Sequence, residues 1–143
     1  ILSDTNFALL CEINKMVEEG FYYTAGKVRN TPVTIGGTTW KTDLPIESVI
    51  KEELEEIFSK ELDDIDRAIE LLLYTMKKQI FIDGNKRTAV IYSNHYLISK
   101  GKGIIAIPAE LTEEFKDLLI PYYEGKDEKQ IKKFIKGKCY MNI

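Results

Sequence analysis

Apolar and polar positions alternate along this chain mostly with a helical period. Phe7, Leu10, Ile13 (or Asn14) and Val17 recur at helical spacing, after Ser3, Asp4 and Thr5 as capping candidates and before Gly20, which predicts a helix over about 5–19. The pattern then breaks. Val33-Thr34-Ile35 and Thr38-Thr39-Trp40 flank Gly36-Gly37, which predicts a short β-hairpin with a primed turn. After Pro45, Ile46, Val49, Ile50, Leu54 and Ile57 line one side of a helix, and glutamates line the other as a solvated face. Ile65, Ile69, Leu72 and Met76 carry a further helix over about 63–79, with Asp63, Asp64 and Asp66 suited to its positive end. A break at Phe81-Ile82-Asp83-Gly84 precedes a helix over about 85–100, closed by Gly101 and Gly103. Ile104 to Ile107 reads as an apolar connection, Pro108 as the start of a helix to about Tyr123, and 127–136 as a last helix with a solvated lysine face. The fold class is therefore mainly α, a helical bundle with one short exposed hairpin.

Composition narrows the class. At 143 residues and 44% hydrophobic, the chain reads as a single domain over 1–143 that needs neither metal nor disulfide to build a core. No apolar run approaches the ~20 residues of a membrane span, and nothing at the start resembles a leader, so a soluble, cytoplasmic protein is expected. A net charge of −3 gives no reason to expect nucleic acid. Cys11 and Cys139 lie at opposite ends of the chain, without metal or redox spacing, and read as reduced, inert thiols. The chain opens on Ile1 rather than Met, which points to a trimmed chain or a fragment and leaves room for a missing flank.

The chemistry concentrates in Gln79-Ile80-Phe81-Ile82-Asp83-Gly84-Asn85-Lys86-Arg87-Thr88-Ala89. The first N–H groups of the helix after Gly84 have no internal partners and carry partial positive charge, so they suit phosphate oxygens. Gly84 permits close backbone approach, Asn85 adds donors, and Lys86 and Arg87 add cationic ones. Asp83 is a hard oxygen ligand that suits Mg²⁺ bridging phosphates. The same Asp83-Gly84-Asn85 also suits a plain turn and helix cap, and the residues alone leave both readings open.

This stretch resembles the Fic (Fido) signature His-x-Phe-x-Asp/Glu-Gly-Asn-Gly/Lys-Arg, matching it at Phe81, Asp83, Gly84, Asn85, Lys86 and Arg87. Upstream, Arg29 to Val33 followed by Ile35-Gly36-Gly37-Thr38 and Trp40 resembles the family's flap, so the similarity covers roughly 5–125. The resemblance implies a Fic-type helical core that binds ATP with Mg²⁺ and transfers AMP to a Ser, Thr or Tyr hydroxyl of another protein. In that scheme Phe81 anchors the loop and Asp83 holds the metal. The amides near Gly84 and Asn85, with Lys86, cradle phosphates, and Arg87 pairs with phosphate oxygens. The flap, Val33, Thr34, Ile35, Gly36, Gly37, Thr38, Thr39 and Trp40, holds the target protein as an added strand.

Three departures from the pattern matter. Gln79 stands where the family has its general-base histidine, and a primary amide orients a hydroxyl but does not take its proton. His95, the single histidine, is ten residues past Asn85, roughly 15 Å along the same helix, and reads as a core histidine. Lys86, with Val90 where many AMP-transferring members have a second Arg, resembles the Doc branch of toxin–antitoxin proteins, which implies phosphate transfer instead; Gly84 is unlike that branch's common alanine. Many relatives carry an inhibitory Ser/Thr-x-x-x-Glu-Gly/Asn. The Glu19-Gly20 and Glu124-Gly125 pairs are preceded by Lys15 and Ile120 at the Ser/Thr position, so both read as helix ends. An inhibitor protein supplied separately, or a missing flank, is then the expected source of any regulation, and homo-oligomerisation stays open. The leading reading is a Fic-type adenylyltransferase weakened or silenced by Gln79. Its alternatives are a Doc-like phosphotransferase acting on a protein, and a nucleotide- or protein-binding module without chemistry.

Overall fold

The computed structural model describes residues 4–142, so Ser3 lies outside the described residues. Its helices are α1 (Phe7–Glu18), α2 (Glu47–Ser59), α3 (Asp64–Lys78), α4 (Asn85–Ser99), α5 (Thr112–Tyr123) and α6 (Lys129–Phe134), the mainly α architecture that the periodicity predicts. Asn6 caps α1, its side chain accepting from the Leu9 amide at 2.9 Å, in place of the expected Asp4 or Thr5. Asp63 caps α3 through the Asp66 amide at 2.8 Å, with Asp64 and Asp66 in the first turn and Lys77 and Lys78 in the last. A 3₁₀ turn, Ala109–Leu111, leads into α5. α6 ends early and widens into a π turn over Ile135–Cys139.

α3 and α4 form the centre. Leu71, Leu72 and Leu73 are all buried, which requires partners on more than one side of α3, and Ala89, Tyr92, Tyr96 and Leu97 of α4 face them. α1 packs across α4, α2 against α3, and α5 against α6. Lys132 and Lys136, expected on a solvated face, instead pair with Glu70 at 2.8 Å and Asp66 at 2.9 Å on α3. Burial and the nearby Glu47 push the Cys11 thiol up to about 11, which fits an inert thiol. Among the described residues no helix is long and apolar enough to cross a membrane.

The strands lie elsewhere than expected. β1 (Ile104–Ile105) pairs antiparallel with β2 (Tyr140–Met141), bringing together segments far apart in the chain. Residues 33–40 carry no ladder. Gly36 and Gly37 do turn the chain, but only Gly37 has a positive φ, +88°, the pattern of an unprimed turn whose twist splays its flanking arms. The hairpin is thus a turned, extended loop.

Candidate active site

The loop between α3 and α4 is held from beneath by side chains that leave its upper surface free. Ile80 and Phe81 are buried in the core. Asn85 accepts from the Phe81 amide at 3.0 Å and donates to the Phe81 carbonyl at 2.8 Å and to Gln79 Oε1 at 3.3 Å. Its side chain therefore braces the loop instead of offering donors outward, and only its backbone amide remains for an anion. No side chain caps α4, whose first internal bond runs from the Thr88 amide to the Gly84 carbonyl at 2.9 Å. The amides of its first turn face outward without a built-in acceptor.

Asn14 and Glu18 lie on the buried stripe of α1, 1% and 2% exposed. Asn14 donates to the Asp83 carbonyl at 3.0 Å and to Thr88 Oγ1 at 3.2 Å, and accepts from the Gly26 amide at 2.9 Å. Glu18 Oε1 takes Arg87 Nη2 at 3.1 Å, while the Arg87 side chain stays 68% exposed. Gly84 sits at φ +75° against the Glu18 carboxylate, where a Cβ would collide with it. Burial first, and then the neighbouring Asp83, push the Glu18 carboxyl up, against a lowering by Arg87. Glu18 is a neighbour of the motif loop that the sequence pattern does not single out; the signal for it is an acid eight residues after Leu10 and four after Asn14, on the apolar side of α1.

Gln79 closes α3 in the left-handed conformation, φ 48°, the only positive φ among the described non-glycine residues. Its Nε2 donates to the Met76 carbonyl at 2.6 Å, so both ends of the amide are engaged. Arg29, 5% exposed and among the described residues without a carboxylate partner, lashes this corner to the loop that follows Arg29 itself. Its Nε donates to the Gln79 carbonyl, Nη1 to the Thr31 carbonyl at 2.9 Å and Nη2 to the Asp43 carbonyl at 3.2 Å. The Arg29 amide also bonds the Ile80 carbonyl at 2.9 Å.

These elements enclose a polar cavity of about 330 Å³ lined by Val33, Thr34, Ile35 and Gly36 on one side and by Gln79 and Ile82 through Arg87 on the other. Gly37, Thr38, Thr39 and Trp40 stand outside it. Thr38 donates to Glu124 Oε2 at 2.7 Å, and Trp40 stacks on Tyr123 with centroids 5.8 Å apart, so the second arm is pinned to α5. Gly20 and Gly125, at φ +90° and +75°, terminate α1 and α5, as expected of both Glu-Gly pairs. His95 is remote from the loop, with Nδ1 at 2.7 Å from the Thr5 hydroxyl. A second, apolar cavity of about 460 Å³ lies behind Lys86 and Arg87, walled by Met76, Val90, Ile107 and Phe115. An anion entering between the two cavities meets two cationic side chains and the free amides of α4.

Residues 4–97 match the model of the Fic/DOC family, which spans the loop, its flanking helices and the flap. The chain belongs to the Fic/DOC family. No curated protein matches the chain at the sequence level. The fold is similar to that of BepC, a VirB-translocated effector from Bartonella tribocorum solved with bound AMPPNP, at a TM-score of 0.78 and 14% identity, over 98% of this chain and 76% of that one. It is also similar to Fic-1 from C. elegans, at a TM-score of 0.71 and 21% identity, over 92% of this chain and 38% of that one. At these identities the likeness establishes the Fic fold.

Proposed function

We propose that this Fic domain binds Mg·ATP across Lys86 and Arg87, and that its transfer of AMP to a protein hydroxyl is weak or silent because Gln79 occupies the base position. The observation that carries the reading is the company Gln79 keeps: Gln79, Asp83, Arg87 and the uncapped first turn of α4 line one cavity beside Val33 to Gly36. The triphosphate lies over the α4 amides and Arg87, and the base takes the apolar cavity behind, which is within the usual volume of a ligand site. Exposed Asp83 suits Mg²⁺, which binds through one or two carboxylates plus phosphates, and among the described residues no group of three or more His, Cys, Asp or Glu converges to suggest another metal. Mg²⁺, when bound, neutralises phosphate charge.

The chain's own residues do the rest. Arg87 and the α4 amides orient the phosphates and stabilise charge on them; the first arm of the flap holds a target segment beside the loop. Gln79 positions the incoming hydroxyl without accepting its proton. The engagement of both ends of that amide, with Met76 and Asn85, favours a second reading in which the domain binds nucleotide or partner and performs no transfer.

Incubating the chain and its Gln79→His variant with host lysate and ATP labelled at the α or the γ position tests these readings together. Label from α-labelled ATP in protein, stronger with histidine, supports AMP transfer. Label only from the γ position supports the phosphotransferase that Lys86 and Val90 resemble. No label with either chain, alongside measurable ATP affinity, leaves the binding module.

A further inference from the structure

Lys116 on α5 is a cation without a carboxylate. It follows Glu113 by one helical turn and adjoins Asp117, yet among the described residues it makes no ion pair within 4 Å, and neither does Lys86. The two lysines come from different elements, the first turn of α4 and the middle of α5, and both line the apolar cavity. Lys86 also lines the polar cavity beneath the flap. The Lys116 stem runs past the flap turn: a Cβ on Gly37 would lie 3.5 Å from Lys116 Cε and 4.0 Å from Nζ. Lys116 therefore stands where the flap, the motif loop and the apolar cavity meet.

Two like charges lining one cavity with apolar walls raise each other's energy unless an anion sits with them. Burial first, and then the Lys116 charge, lower the Lys86 ammonium from its ordinary value, in the same direction. We propose that Lys116 and Lys86 form a two-ammonium clamp for the polyphosphate of a nucleoside triphosphate, so that α5 as well as the motif loop binds the nucleotide. The clamp rests on the nucleotide reading above and adds a phosphate-binding residue outside the signature. Apolar walls alone suit an uncharged nucleoside; the paired ammoniums suit its phosphorylated form.

The test is calorimetric titration of the chain, Lys116→Met and Lys116→Arg with Mg·ATP and separately with adenosine, at two ionic strengths. Methionine keeps the apolar stem and removes the charge, and because Lys116 is exposed and unpaired the variant is expected to fold. Lys116→Met should weaken ATP by about fivefold to tenfold, the low end for a charge-assisted hydrogen bond once solvent screening is allowed for. It should leave adenosine unchanged and flatten the salt dependence of ATP binding, and Lys116→Arg should restore both. Equal ATP affinity for the chain and Lys116→Met overturns the clamp while the nucleotide reading stands. A parallel loss of ATP and adenosine affinity also overturns it, since the stem and not the charge would then be responsible. If the chain itself binds no Mg·ATP, the nucleotide reading and the clamp fall together.

Discussion

If Arg87 binds phosphate as proposed, Glu18 competes with that phosphate for the guanidinium, and Glu18→Gln should tighten ATP binding. A nucleotide that engages Arg87 must draw the guanidinium from a carboxylate 3.1 Å away and bring its own charge near that carboxylate. A phosphate charge about 5 Å from Glu18 at an effective dielectric of about 20 is repelled by ~3 kcal/mol. Glu18 is buried, but the site opens to solvent at Arg87, whose side chain is 68% exposed, and screening on that side cuts this to roughly half. The surrendered ion pair adds about 0.5 kcal/mol, the scale of an exposed pair. The sum, about 2 kcal/mol, corresponds to roughly thirtyfold in affinity. Glutamine keeps the shape and an acceptor for Arg87, and removes the repulsion between Glu18 and Asp83 that helps raise the Glu18 carboxyl. The variant should therefore fold with undiminished stability. Calorimetric titration with Mg·ATP reads the affinity, and Arg87→Ala, weaker than the starting chain by about 1.5 to 3 kcal/mol, shows that the guanidinium faces the nucleotide. Unchanged or weaker ATP binding by Glu18→Gln would refute the competition.

The same carboxyl gives a pH test. Its value in the folded chain lies above the ordinary 4.5, so between that value and the raised one the folded chain holds more protons than the unfolded, and stability falls as pH rises; Glu18→Gln should remove that slope in urea titrations across the window. Gln79→His should raise transfer by about 10² or more with little change in ATP affinity, because the base acts in the transition state and histidine tolerates the left-handed backbone at 79; equal rates in labelled transfer would refute a silenced enzyme. Thr34→Pro should impair partner modification more than ATP binding, since Thr34 lines the cavity, whereas Thr39→Pro acts on the arm pinned to α5; equal effects on transfer would make the hairpin merely structural. Arg29→Met should cost about 2 to 4 kcal/mol in denaturant unfolding by leaving three carbonyls without their donor, a loss that an unimportant surface arginine would not show.

The helices were legible because each carries its own period, and the motif loop because its residues stand in an unbroken order. What was not legible depends on partners distant in the chain. Ile104 and Ile105 alone show no alternation, and their strand exists only because Tyr140 and Met141 return beside them. The glycine pair at 36–37 marks a turn, but its hand is set by backbone angles that two glycines do not specify. Lys132 and Lys136 looked solvated because periodicity says nothing of which helix lies opposite. Asn85, assigned to the ligand side, is consumed in bracing the loop, an outcome decided by where Phe81 and Gln79 place their polar groups.

That division of labour explains how a site of this kind can lose its base and keep its shape. Phe81, Asn14, Asn85 and Arg29 hold the loop through core packing and main-chain hydrogen bonds, and the edges of this scaffold, at Gln79, Ile82, Asp83, Gly84 and the first turn of α4, line the cavity. A change at 79 replaces the side chain on a backbone whose carbonyl is held from outside by Arg29, a bond that does not depend on which side chain stands at 79. Loss of binding would instead require disturbing Arg87, which pairs with Glu18 and not with Gln79, or the start of α4, where Asn85 keeps its two bonds to Phe81 when its bond to Gln79 Oε1 is lost. On the function proposed above, binding and transfer separate by position: substitutions at 79 should move the rate, those at 87 and 116 the affinity, and those at 29 the stability on which both depend.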